Sequence, residues 1–391
     1  MLRGLSNDNL SVFGGRFPGE SRRSPFFFGK PHGMERGRAM ISVTGVERAA
    51  VVVALCVAMA SVATAAVNIE TVPVGNKGNA GEWSGESYGG YGTDRICGAV
   101  AYSFNMGKYE ISAGQYTEFL NAVAKTDTFG LYLSPMGDNP VGCHIQRNGG
   151  SGSYTYTVAS DWASRPVNWV SWGSAARFAN WLTNGQPTGG QNLATTEDGS
   201  YYLNGGTTNE QLLAVTRKAS ARYVIPTEDE WYKAAYYDCD KPGGAGYWDY
   251  PTKSNSIPSN ILSLTANNNA NFNASFGGND YTIGSPYWYT EAGAFANSSG
   301  PWGTFDQGGN VWEWNEAVLP DPAHMWDATR GVRGGDWNSP YTTLQASYRN
   351  GLDPGSGRYS AGLRVAEVPE PATMSLLALG GLGMLVRRRR K

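Results

Sequence analysis

Hydrophobic and polar residues alternate through residues 101–112 (AYSFNMGKYEIS), the period of a strand with one buried face. At Ser112 the period changes. Tyr116, Phe119, Leu120 and Val123 then recur at helical spacing, so residues 113–125 are predicted to form a helix capped by Ser112. A second extended piece, residues 165–170, leads to Ser171 and a second predicted helix, WGSAARFANWLTNG, stopped by Asn184-Gly185. A third unit begins as a strand at Arg222, passes a capping box of Thr227 with Glu230, and continues as helix to about Tyr237. Residues 127–164 are turn-rich, residues 186–220 read as an insertion, and residues 238–305 are loop-dominated. A closing core follows in residues 303–317, 330–339 and 347–366. No repeat and no linker divides this pattern, so it predicts one α+β domain with short strands, two or three helices and much irregular chain.

Composition agrees with that picture. The chain has 391 residues, 41% hydrophobic and 16% charged, enough for one large core and too weakly charged for a disordered tail protein. A net charge of -2 favours neither nucleic acid nor an anionic membrane surface as a partner.

Both ends read as processing signals. Residues 49–66 form an apolar run behind Arg48 that ends in small residues, with Ala63-Thr64-Ala65 as a cleavage box. The alternative is a transmembrane anchor. A start at Met40 gives a signal peptide over residues 40–66, leaving 1–39 disordered or a mis-assigned start, and residues 67–98 as a leading segment before the domain at 99–367. At the other end, Val368-Pro369-Glu370-Pro371 precedes an apolar run from Ala372 to Val386 and five basic residues, Arg387 to Lys391. This segment, 368–391, closely resembles the PEP-CTERM sorting signal of bacteria, the alternative being a plain tail anchor. The resemblance implies recognition by an exosortase-type sorting enzyme, transient membrane anchoring, and export to the cell envelope, outer surface or extracellular matrix.

Of the four cysteines, Cys56 leaves with the signal peptide. Cys97, Cys143 and Cys239 remain, an odd set that allows one bridge and leaves one thiol. With three histidines in the chain, a zinc site at Cys143-His144 has little to draw on. Neither His144 nor His324 has a nucleophile motif near it, and Glu228 and Glu230 read as the acidic first turn of a surface helix.

Five blocks in order resemble the sulfatase-modifying-factor family, whose founding activity is the formylglycine-generating enzyme: MGKYEISAGQYTEFLN, RPVNWVSWGSAARFANWL, IPTEDEWYKAAYY, GNVWEWNE and RGGDWN…SYRNG…AGLRVA. They run from Met106 to Arg364. The resemblance implies a C-type-lectin-like fold and a structural calcium site at positions matching Asp306, Gly309, Val311 and Glu313, with a second site around Asn271 and Phe272. The plainer reading is that Asp306 and Glu313 only accept hydrogen bonds from turn amides.

The family's oxidation chemistry needs two closely spaced cysteines, whose soft sulfur selects cuprous copper. Here Ser339 stands at the first position and a residue near Leu344 at the second, and no cysteine lies beyond Cys239. Formylglycine formation is therefore not expected, and neither is copper. The expected role is non-catalytic binding of an envelope or matrix glycan, or of a protein, through loops 336–344 and 350–360. Trp337, Asn338, Ser339, Tyr341 and Asn350 are the candidate contacts. The alternative is a formylglycine-generating-type oxidoreductase acting on sulfatase cysteine with unorthodox residues. Most tryptophans in the blocks read as core. Trp337, in an exposed-looking turn, reads equally as core or as a stacking platform. Arg165, Arg333, Arg349 and Arg364 read as braces for buried acids such as Glu110, Glu230 and Glu313.

Overall fold

The computed structural model describes residues 66–84, 95–275, 277–320 and 328–369. Residues 1–39, read as a disordered or mis-assigned start, residues 40–65 of the segment read as signal peptide, residues 370–391 of the sorting tail, and His324 lie outside the described residues. Among the described residues no helix is long and apolar enough to cross a membrane.

In chain order the elements are β1 (Thr71–Val74), β2 (Glu82–Ser84), β3 (Arg95–Cys97), β4 (Phe104–Gly107), α1 (Ala113–Val123), a one-turn α2 (Pro135–Asp138), β5 (Gln146–Asn148), β6 (Thr155–Thr157), α3 (Trp172–Thr183) and α4 (Asn209–Ala214). They continue with β7 (Tyr223–Val224), α5 (Glu228–Tyr236), β8 (Tyr237–Asp238), β9 (Gly246–Tyr247), β10 (Trp312–Pro320), β11 (Ala328–Arg333), a 3-10 turn (Tyr341–Leu344), β12 (Asn350–Leu352), β13 (Ala361–Gly362) and β14 (Ala366–Glu367). Two four-stranded sheets, ordered β1-β4-β14-β7 and β12-β11-β10-β13, carry the domain, with three two-stranded ribbons around them. This is the α+β architecture of short sheets and long irregular stretches that the pattern predicts, with five helices among the described residues where two or three were expected; the additional ones, α2 and α4, are short, of four and six residues.

The helices form where their caps place them. Ser112 accepts from the Gln115 amide while the Gln115 side chain accepts from the Ser112 amide, and Thr227 and Glu230 close the same box on α5. Helix α1 stops at Val123, two residues short of the predicted end. Its apolar stripe lies against α3, with Tyr116 and Phe178 ring centroids 6.0 Å apart and Phe119 5.2 Å from Trp181.

The predicted strand over 101–112 shortens to four residues, with Phe104 and Met106 buried. Beyond Gly107 the chain stays extended but changes partners. Lys108 donates to the Glu70 carbonyl and Ile111 to that of Leu363, so its amides are satisfied without one continuous ladder.

Glu228 and Glu230 correct the surface-helix reading: they are 3% and 0% exposed. Glu228 accepts from Arg333, Arg349 and Arg95, and Glu230 from Arg217 and the Tyr102 hydroxyl. The acidic first turn of α5 points into the core because four guanidiniums from distant segments meet it there. Arg364 braces Glu313 with bonds of 2.6 to 3.2 Å, as expected. Arg165 braces none of those buried acids: it lies over the Tyr287 ring, 3.9 Å from its centroid, donates to the Tyr289 carbonyl, and pairs at 3.6 Å with the exposed Glu291.

Among the described residues Cys97, Cys143 and Cys239 form no bridge with one another, so the allowance for one bridge is not used there. Cys97 packs beside Trp231 and Tyr232, Cys143 sits in the main core, and Cys239 is half-buried between Asp238 and Asp240.

Candidate ligand-binding site

The segment that stands in place of the family's cysteine pair follows β11 through Gly334-Gly335, both with left-handed φ (98° and 77°). A Cβ on Gly335 would lie 2.3 Å from Thr343 Oγ1, so the tight turn requires glycine. The turn ties itself together around Asp336. Its Oδ1 accepts the Ser339 hydroxyl at 2.5 Å and the Asn338 amide at 3.2 Å. Burial pushes the Asp336 carboxyl up to about 6, against the opposing pull of those hydrogen bonds. Ser339 is therefore held as a turn cap, and its carbonyl accepts the Asn273 amide. Leu344, near the second expected cysteine position, is fully buried among Tyr250, Ala270 and Phe272.

Trp337 is 6% exposed, which corrects the exposed-turn reading. Its ring centroid lies 4.8 Å from Trp288, 5.3 Å from Tyr281, 6.0 Å from Tyr289 and 6.4 Å from Tyr359. Trp288, Tyr281, Tyr287 and Tyr359 are half-buried, so Trp337 and Tyr289 form the floor of an aromatic nest whose rim reaches solvent. Trp169 extends it, 6.4 Å from Tyr359. Trp169 and Trp288 hold left-handed backbones, φ 58° and 59°, which for bulky residues costs about 1–3 kcal/mol each.

Of the predicted contacts, Trp337, Asn338 and Ser339 lie together at this nest. Tyr341 belongs to the 3-10 turn and packs on the Tyr250–Leu344 cluster. Asn350 sits on β12 opposite Val332, with its side chain accepting the Gly351 amide. The rim residues from the loop-dominated stretch were missed, although the dense aromatic run Tyr287-Trp288-Tyr289 marks them in the sequence.

Beside the nest lies the acidic group expected to hold calcium. Asn271 and Gly309 pair in a single isolated bridge, Gly309 and Asn310 holding left-handed φ of 84° and 63°, and the Asn310 amide donates to the Asn271 carbonyl at 2.9 Å. Asn310, which sequence reasoning passed over, joins the two regions. Its Nδ2 donates to Glu110 Oε2 at 2.7 Å, its Oδ1 accepts from Asn271 and Thr290, and its carbonyl accepts the Trp337 amide. Glu110 feels the charges of Asp306 and Glu313, Asp306 feels that of Glu313, and the Arg364 guanidinium feels all three. Burial, then the Asp306 and Glu313 charges, hold the Glu110 carboxyl well above its ordinary range. Burial pushes Asp306 up to about 6, although the Gly293 amide and Arg364 oppose it.

The donor set fits a cation unevenly. Among the described residues, buried Asn271 Oδ1 has no hydrogen-bond partner, and three carboxylates share the Arg364 guanidinium. Glu313, in contrast, already accepts from Arg364 on both oxygens and from Trp231 Nε1. Among the described residues, Asp238, Cys239 and Asp240 form a group of three whose ligand atoms all lie within 4.8 Å of one another, and it is elsewhere.

Residues 96–368 match the sulfatase-modifying factor enzyme 1-like domain, and the chain belongs to that family. Residues 367–391 match the PEP-CTERM protein-sorting motif, which marks the chain for exosortase-type sorting and the cell envelope. Among solved structures, the crystal structure of CarF is similar at 20% identity and TM-score 0.45, covering 78% of this chain and 99% of its own. Treponema denticola variable protein 1 is similar at 17% identity and TM-score 0.44, covering 78% and 96%. PvdO from Pseudomonas aeruginosa follows at 16% identity and TM-score 0.41, covering 74% and 92%. No curated protein matches the chain.

Proposed function

We propose that this protein is an exported, envelope-sorted member of the family that binds a ligand, a glycan or a protein of the envelope or matrix, without catalysing oxidation. The carrying observation is what occupies the place of the cysteine pair: a capped Ser339, a core Leu344, and an aromatic nest beside them. The remaining thiols do not substitute. Cys97 is buried beside Trp231 and Tyr232, Cys143 is buried in the main core, and half-buried Cys239 lies between Asp238 and Asp240, so the three stand in different places and do not offer the paired sulfur that cuprous copper needs. Half-buried tryptophan and tyrosine rings give large, rigid contact area at small entropic cost, and the amide of exposed Asn338 adds adaptable hydrogen bonding.

Calcium serves this fold as a structural ion. Asp306 with the carbonyls of Gly309 and Val311 would hold it at one place, and the Asn271 side chain at a second. Its charge would offset the carboxylate excess. Glu313 contributes negative charge, its lone pairs being taken by Arg364 and Trp231.

The test is a pair of assays on the purified exported chain. With copper, oxygen, reductant and a sulfatase-type cysteine peptide, the expected result is no formylglycine above a copper-only control; conversion would overturn the reading in favour of an unorthodox oxidoreductase. Titration with envelope oligosaccharides, followed by tryptophan fluorescence, is expected to give saturable binding that Trp288→Ala weakens. Binding unchanged by Trp288→Ala would place the ligand site elsewhere.

A further inference from the structure

The folded domain and the sorting motif share residues, which constrains how the motif can be read. Strand β14 is an inner strand: Ala366 pairs with Met106 of β4 on one side and Val224 of β7 on the other. Glu367 is held by Arg222 at 3.0 Å and by Asn105 at 3.3 Å. The Val368 amide then donates to the Arg222 carbonyl at 2.9 Å. Pro369, the first residue of the Pro-Glu-Pro, thus leaves the sheet with no slack behind it.

At this exit lies a cavity of about 570 Å³ whose walls include Pro73, Gly75, Ser103, Asn105 and Arg222, and Pro369 itself is part of its lining. From Pro369 to the apolar run at Ala372 the chain can span at most about 10 Å at roughly 3.5 Å per residue. An enzyme that grips the Pro-Glu-Pro must therefore come within that distance of the cavity. It cannot draw out more chain without lifting β14 from between its two neighbours.

We propose that the walls of this cavity are a docking surface for the sorting enzyme, so that the motif is read together with the folded domain that presents it. The chemistry on offer is mixed: the Arg222–Glu367 ion pair and the polar Asn105 and Ser103, beside the apolar ring of Pro73. A partner surface of short polar and small apolar side chains fits it. The inference rests on the sorting motif and is independent of whether the aromatic nest binds a ligand.

The test uses the full chain in a bacterial host that carries such a sorting enzyme, with processing followed by pulse-chase. Four chains form a cycle: the unaltered chain, Ser103→Trp, the chain with a twelve-residue Gly-Ser linker between Val368 and Pro369, and the two changes combined. Ser103 is exposed, so the tryptophan fills the cavity mouth without entering the core. The expected result is that Ser103→Trp slows processing about threefold or more in the tight chain and has no effect once the linker frees the motif. Equal slowing with and without the linker, or no slowing in either, would overturn the docking surface. Processing unaffected by deletion of residues 369–391 would refute the sorting reading itself, a distinct outcome.

Discussion

Replacing Glu228 by glutamine keeps the shape of the side chain and removes one charge from the most heavily shared carboxylate of the domain. Arg333 Nε lies 2.9 Å from Oε1, and Arg349 and Arg95 reach Oε2 at 2.7 and 2.8 Å. Burial alone would raise this carboxyl, but Arg333, Arg349 and Arg95 outweigh it and hold it below its ordinary range. Without the charge, Arg333, fully buried, and Arg349, 3% exposed, face each other across a neutral amide that must direct a donor at one of them. Breaking a buried pair in this way costs about 3–5 kcal/mol. At roughly 2–4 °C per kcal/mol for a domain of this size, Tm should fall by about 6–20 °C. The comparator is Glu70→Gln, whose pair with Lys108 at 2.6 Å is exposed on the Glu70 side; it should cost less than about 1 kcal/mol. Chemical unfolding followed by tryptophan fluorescence measures both. Because the folded-state pKa of Glu228 is depressed, its stabilisation is present above the unfolded value and is lost as pH falls through the folded one. The gap between the unaltered chain and Glu228→Gln should therefore narrow only in acid, below about pH 4. A loss under 1 kcal/mol at neutral pH would refute the argument that these guanidiniums depend on one buried charge.

Three further outcomes follow from the site. Trp337→Ala should cost about 3–5 kcal/mol as a buried aromatic truncation, while Trp288→Ala on the rim costs clearly less; equal losses in denaturant titrations would mean the two rings are buried alike. Calcium at a hundredfold excess over its Kd should stabilise the domain by about 2.7 kcal/mol, and Asp306→Asn should reduce that rise in Tm; a chelator without effect on Tm would count against a structural ion. The Asp336 carboxyl is raised to about 6, so its favourable contribution is complete below about pH 4 and is lost as pH rises towards 6. Stability curves measured across that window should be flatter for Asp336→Asn than for the unaltered chain.

What the order of residues determined was local, because the interactions that set it span a few positions. Ser112 with Gln115 and Thr227 with Glu230 cap their helices from three residues away, and the stripe of Tyr116, Phe119 and Leu120 names its own buried face. The missing cysteine pair and the Pro-Glu-Pro tail are likewise legible one block at a time. The tertiary structure decided whatever depends on partners far along the chain. Ala366 pairs with Met106, Glu228 takes charge from Arg95 and Arg349, and Arg364 meets Glu313. Nothing local distinguishes buried Glu228 from a solvated first turn, since the guanidiniums of Arg333, Arg349 and Arg95 that meet it lie over a hundred residues away. The same holds for Trp337. Its polar turn looks exposed in sequence, and only the return of Tyr281, Trp288 and Tyr359 from other loops encloses it, because a ring is buried by whichever surfaces the chain folds against it.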